Sequence, residues 1–199
     1  MLPLDSAACP FLFEPSSAFY GLFETGEDED LERAVGLVAY HPPVASLLSG
    51  RAPSAVYLSP ATGEPGMAGR LVGSTSLGLR IEVSFHVMGI PEALGTVIAH
   101  EMGHHVLAFA KHSLPETIEN ELLTDLTSVF VGLGKLLLNG KQRAHSPHSP
   151  FQVHLGYLPL ELTIYAYRKV CQARGVALAT ATSSLTRELL TEIQSYDSR

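Results

Sequence analysis

Charge is scarce in this chain. Only 17% of its 199 residues are Asp, Glu, Lys or Arg, against ~25% in an average globular domain. Hydrophobic residues make up 46%, so disorder over most of the length is excluded. The 13 Lys and Arg never gather into a block, and the formal net charge is −7. Nucleic acid, whose phosphates need clustered cations, is thereby excluded as a main partner. The two cysteines, Cys9 and Cys171, cannot form a disulfide framework and read as free thiols in a reducing compartment. No uncharged apolar run reaches the ~20 residues of a membrane-spanning helix. The longest candidate, Leu126 to Leu138, is shorter and contains Lys135. The opening stretch has no Lys or Arg before its apolar part and carries Pro3, Asp5 and Pro10, so it does not read as a signal peptide. The expectation is a soluble cytoplasmic protein with no membrane partner; signal-independent export would leave no mark. Folding at this length removes roughly 70% of the unfolded surface from water, enough for one unstapled domain.

Hydrophobic periods and breakers divide residues 1–199 of that domain. Residues 1–26 are rich in Pro, Phe and Ser without a clear period and are expected to form an irregular arm. Residues 27–50 read as helices: the acids Glu27 to Asp30 suit a helix N-terminus, and His41-Pro42-Pro43 stops the first helix. Residues 52–88 read as a small antiparallel or mixed sheet with strands over Ser54–Ser59, Arg70–Thr75 and Leu79–Met88. The last alternates apolar and polar residues, a half-buried strand with His86 on its wet face. Residues 91–139 read as two helices, the first opened by Pro91. The second runs from Pro115 to Leu138 behind the capping box Ser113 to Glu116 and ends at Asn139-Gly140. Lys141 to Pro150 reads as a solvated loop carrying His145 and His148. Residues 151–199 read as C-terminal helices over Leu158–Arg174, stopped by Gly175, and Leu185–Ser195. A helix, a small sheet and then a helical half predict an α+β fold.

His100-Glu101-Met102-Gly103-His104 spells HEMGH inside the helix that Pro91 opens. Residues four apart share a helix face, so both imidazoles can hold one ion, while Glu101 lies one step round, within reach of a water on that ion. On the next helix, Asn120-Glu121-Leu122-Leu123-Thr124-Asp125 places two carboxylates four apart. A catalytic zinc takes three protein ligands and leaves a position open. A ligand histidine usually passes its other ring nitrogen to a carboxylate. Glu121 suits the first need and Asp125 the second, although spacing alone leaves Asp125 as the alternative third ligand. Gly132 and Gly134 further along the same helix each cost about 1 kcal/mol relative to Ala, which a close approach to the HEMGH helix would explain.

These two motifs resemble those of the gluzincin, or thermolysin-like, zinc metallopeptidases, over about residues 80–140. The resemblance implies a compact zincin-like fold with the sheet packed on the HExxH helix. It also implies one Zn2+ ion held by His100, His104 and Glu121, with Glu101 as general base and Asp125 orienting a ligand histidine. It implies a peptide or protein substrate, and a His or Tyr from the helical half steadying the oxyanion. Tyr157 is chosen for that role over His154 and Tyr165. Metzincins fit less well, since Leu107 and Ala110 stand where Gly and His are needed, and the aspzincin signature is missing. His105, one step off the ligand face, is expected to be partly exposed or a support for the ligands. His86 on its strand is expected near substrate or simply in solvent. The alternative readings are a non-catalytic or regulatory metal-binding module that recognises a protein partner, and a metal-dependent hydrolase of non-peptide substrates.

Overall fold

A computed structural model describes residues 11–48, 56–61, 68–75, 78–115, 117–145 and 155–195. Its architecture is α+β: a three-stranded sheet set among helices. The N-terminal helices are α1 (Ser17–Glu24), α2 (Asp28–Ala39) and α3 (Pro42–Leu47). The first of these corrects the expectation of a wholly irregular arm. Ser16 caps it by accepting from the Phe19 amide at 3.1 Å, and Phe19 and Phe23, four apart, bury one face.

The sheet comprises β1 (Val56–Ala61), β2 (Gly69–Thr75) and β3 (Gly78–Ser84) in the order β1-β3-β2. It is mixed. The β1 strand runs parallel to β3, with Val56 beside Leu79 and Ala61 beside Ser84. The β2 strand runs antiparallel to β3, with Gly69 beside Val83 and a register shift between Leu71 and Gly73. Ile81 and Val83 are fully buried on one face. On the other, Arg70 and Arg80 share Glu82 at 2.8 and 3.1 Å. The expected long strand to Met88 is shorter: Phe85–Met88 turns into the helix α4. His86 therefore does not lie on a strand, and β3 is the central strand with β1 and β2 at its two edges.

The long helix α5 (Pro91–Ala110) is the centre of the molecule. Pro91 occupies its first turn and Lys111 ends it in the left-handed conformation at φ 57°. Every residue from Ala93 to Leu107 is buried except His104. Burying side chains such as Leu94, Ile98 and Met102 is worth about 1.5–3 kcal/mol each relative to exposure. Gly69 of β2 lies directly on Val97 with no room for a Cβ, so the sheet is seated on this helix.

The predicted second long helix is three pieces. Thr117, not Ser113, caps α6 (Ile118–Ser128) by accepting from the Asn120 amide. Residues 129–133 carry the chain through a kink between two helices, and α7 (Gly134–His145) continues well past Asn139-Gly140. The expected loop therefore starts later than Lys141, and Glu116, His148 and His154 lie outside the described residues. The break is at Gly132, whose φ of +92° belongs to glycine. Its carbonyl accepts the Phe13 amide at 3.0 Å, and the Phe11 carbonyl lies where a Cβ would stand. Gly134 lies on the Tyr167 ring, 2.5 Å from the place a Cβ would take. At both glycines the atoms nearest a Cβ belong to Phe11, His41 and Tyr167 and not to the HEMGH helix, so the close approach each one permits is to another part of the chain than predicted. The expected result of Gly132→Ala is a loss of about 3 kcal/mol from strain plus overpacking. That lowers the melting temperature by roughly 6–12 °C for a chain of this size, read by thermal unfolding.

The helical half closes with α8 (Leu160–Ala173), α9 (Leu178–Thr182) and α10 (Arg187–Ser195). Gly175 follows the first of these at φ +64°, as expected of a stop. The helix α9 was not foreseen. It is tied to α7 by Lys135, fully buried, which donates to the Thr180 carbonyl at 2.7 Å, to Ser183 Oγ at 2.9 Å and to Glu14.

Candidate metal centre

His100, Glu101, His104 and Glu121 line a cleft of about 880 Å³, and Asp125 is fully buried behind it. The α5 helix supplies its floor through Val97, His100, Glu101 and His104. The strand β2 forms one lip with Gly69, Arg70 and Leu71, while Ser113, Asn120 and Glu121 form the other. Gly156 and Tyr157 stand at a further side. The helices α5 and α6 come this close because of Gly103, the fourth residue of HEMGH. A Cβ there would sit 2.5 Å from Ser128 Oγ and 2.7 Å from the Thr124 carbonyl. Ser128 reinforces the contact by donating to the Ala99 and Thr124 carbonyls at 2.7 and 3.0 Å.

The two imidazoles are held from behind by different partners. His100 Nδ1 lies 2.7 Å from Asp125 Oδ1. An ionised Asp only accepts, so this ring nitrogen carries the proton. His104 Nδ1 lies 3.1 Å from Thr124 Oγ1. Thr124 gives its own proton to the Asn120 carbonyl at 2.8 Å, so it accepts from His104. Both Nε2 atoms are thereby left with lone pairs, and both face one carboxylate oxygen. Glu121 Oε2 is 3.0 Å from His100 Nε2 and 3.2 Å from His104 Nε2.

Three electron-rich atoms pointed at one another call for a positive charge. The ligand atoms of His100, His104 and Glu121 all lie within 4.8 Å of one another, and two imidazoles with one carboxylate are a donor set suited to zinc. A proton on His100 would also supply the charge. Burial opposes it, but the Asp125 and Glu121 carboxylates outweigh burial and raise that pKa to about 9. Burial and the charge on His100 push His104 the other way and keep it neutral. His100 leads the causes that hold Glu121 below the usual carboxylate range.

Glu101 does not join this group. It is 4% exposed, and burial pushes its carboxyl up to about 7 against the pull of His100 and the Leu71 backbone amide. Asp125 is fully buried and accepts from His100, from the Tyr157 and Leu158 amides at 2.9 and 2.7 Å, and from Lys141 at 3.2 Å. It is not among the residues whose ligand atoms gather within 4.8 Å of one another. The Tyr157 ring stacks on His100 at 6.0 Å and 28° and remains 53% exposed, with burial raising the pKa of its phenol.

The other aromatic and histidine candidates lie elsewhere. Tyr165 is exposed on α8 under Lys169. His105 is buried, not partly exposed, and neither ring nitrogen has a hydrogen-bond partner among the described residues. Thr124 and Lys141 were missed by sequence reasoning. Thr124 stands inside the motif, one helical turn after Asn120, while Lys141 gives no signal because Asn139-Gly140 before it reads as a helix stop. No protein-family model, no curated protein and no solved structure matches the chain, so what this centre does is to be read from its own geometry.

Proposed function

We propose that the chain is a zinc-dependent peptidase with a zincin-like arrangement of sheet and HExxH helix. The observation that carries this is the pair of Nε2 lone pairs turned onto one Glu121 oxygen, each fixed by an acceptor behind its ring. In this reading His100, His104 and Glu121 hold one zinc ion, and Asp125 and Thr124 orient the two imidazoles. Zinc, when bound, supplies a Lewis acid and makes water more acidic.

The remaining chemistry belongs to the protein. Glu101 is the general base: its carboxylate takes a proton from the attacking water and later gives it to the leaving amine. A pKa near 7 suits both transfers. The strand β2, at the edge of the sheet among the described residues, lines the cleft with Gly69, Arg70 and Leu71 and offers backbone groups to an extended peptide. Tyr157, exposed beside His100 with its phenol kept protonated, is the candidate donor to the oxyanion.

The test is a mixed peptide library incubated with zinc-replete protein. Cleavage should stop with a chelator and return with added zinc. A library left intact by protein carrying one zinc per chain would sink the peptidase reading and favour a metal-binding module. A finer expectation concerns Thr124→Val, which keeps the shape but removes the acceptor for His104. Zinc affinity should fall about tenfold, measured by competition with a chromogenic chelator.

A further inference from the structure

We propose that Lys141 is a positioning residue for this centre, acting on His100 through Asp125 and on Tyr157 through the turn at residues 155–158. The inference rests on the metal reading of His100, His104 and Glu121. Lys141 lies on α7, and its side chain is 2% exposed. Its ammonium donates to the Leu158 carbonyl at 2.7 Å, the Leu155 carbonyl at 2.8 Å and Asp125 Oδ2 at 3.2 Å. The turn between those carbonyls sends two amides, Tyr157 and Leu158, to the same Asp125 oxygen.

The two sets of bonds depend on each other. The amides fix the Asp125 carboxylate only while the turn is held, and Lys141 holds the turn by its carbonyls. Gly156 at φ +67° lets the backbone pass this closely: a Cβ would lie 2.6 Å from both Lys141 Nζ and Asp125 Oδ2. With Oδ2 saturated, Oδ1 is left to His100 Nδ1, which sets the ring plane and the direction of Nε2. The same turn lays the Tyr157 ring on His100. Charge acts as well as hydrogen bonds, because Asp125 is fully buried and the Lys141 ammonium is the cation paired with its Oδ2.

A second buried lysine provides the control. Lys135 on the same helix is fully buried but binds Glu14, Thr180 and Ser183. It ties segments of the fold together without contacting the centre. The experiment compares Lys141→Met, Lys141→Gln and Lys135→Met in the full chain. The first measurement is the His100 Nδ1–H proton in histidine-labelled protein by NMR, without zinc. The second is zinc affinity by chelator competition.

Both Lys141 variants should lose the slowly exchanging Nδ1–H signal and bind zinc about 10–100-fold more weakly. Lys135→Met should melt earlier yet keep the signal and hold its zinc affinity within about twofold, since loss of a remote anchor leaves a ligand's hydrogen bond in place. If Lys141→Met does not fold, Lys141→Gln, polar but uncharged and one bond too short to reach all three acceptors, carries the comparison. Retention of the Nδ1–H signal in the folded Lys141 variants would overturn the proposal, as would its equal loss in Lys135→Met. Failure of the wild-type protein to bind zinc would overturn the metal reading instead, while the proton signal still tests the link from Lys141 to His100.

Discussion

Glu101→Gln should leave a protein that binds zinc as well as the parent and hydrolyses peptides at least about a hundredfold more slowly, since general base catalysis contributes roughly 10²–10⁴ in rate. The substitution is close to isosteric. Glu101 is almost fully buried against α5 and β2 and makes no hydrogen bond to His100, His104 or Glu121. Its amide replacement can still accept from the Leu71 backbone N–H, so the side chain has no reason to leave its place. What it loses is the ability to take a proton. Two measurements suffice: zinc titration by chelator competition and peptide turnover at saturating zinc. Full turnover in the zinc-loaded variant would remove Glu101 from the mechanism.

Glu121→Ala should cost zinc affinity by more than about 100-fold, beyond the 10–100-fold typical of groups that only orient ligands. Glu121 Oε2 is the one carboxylate atom within 3.2 Å of both Nε2 atoms. The side chain is about one-quarter exposed, so its removal leaves no buried charge and the fold should melt near the parent temperature. Asp125→Asn gives the opposite pattern. Asp125 is fully buried under four donors, and an Asn amide would turn an N–H group toward some of them. Loss of stability of about 3–5 kcal/mol is expected from breaking a buried charge pair, with a smaller direct loss of zinc affinity. If Asp125→Asn abolished binding in a protein that still folds while Glu121→Ala bound zinc normally, the two roles would be exchanged.

How much of this centre could be read from the chain alone follows from the range of the interactions. The HEMGH motif was legible because helix geometry is local: two histidines four apart share a face whatever the rest does. NELLTD was legible for the same reason, and the alternation of Leu79 to Val83 placed the last strand. The break at Gly132 was not legible. Leu126 to Leu138 has uninterrupted helical periodicity, and only contact with Phe11 and Phe13, more than a hundred residues earlier, gives the left-handed glycine its purpose. Lys141 fell outside the expected helix because Asn139-Gly140 looks like a stop. In the fold, Gly140 instead lies against the Glu92 carbonyl, 2.5 Å from the place a Cβ would take, and α7 continues past it. The helix at Ser17–Glu24 was missed because the prolines and serines around it hid an eight-residue segment with two core phenylalanines.

The break at Gly132 also decides the geometry of the centre. In an unbroken α-helix Lys141 would stand sixteen residues beyond Asp125, about 24 Å along the axis and roughly 160° round it, at 1.5 Å and 100° per residue. The two could never meet. Here they form an ion pair at 3.2 Å. The kink at Gly132 acts as an elbow: the forearm carries the ammonium back to the upper arm that bears the carboxylates. Inserting or deleting one residue beside that elbow would rotate Lys141 off Asp125 by about 100°, the angle one residue contributes to a helix, while every residue of the centre kept its identity.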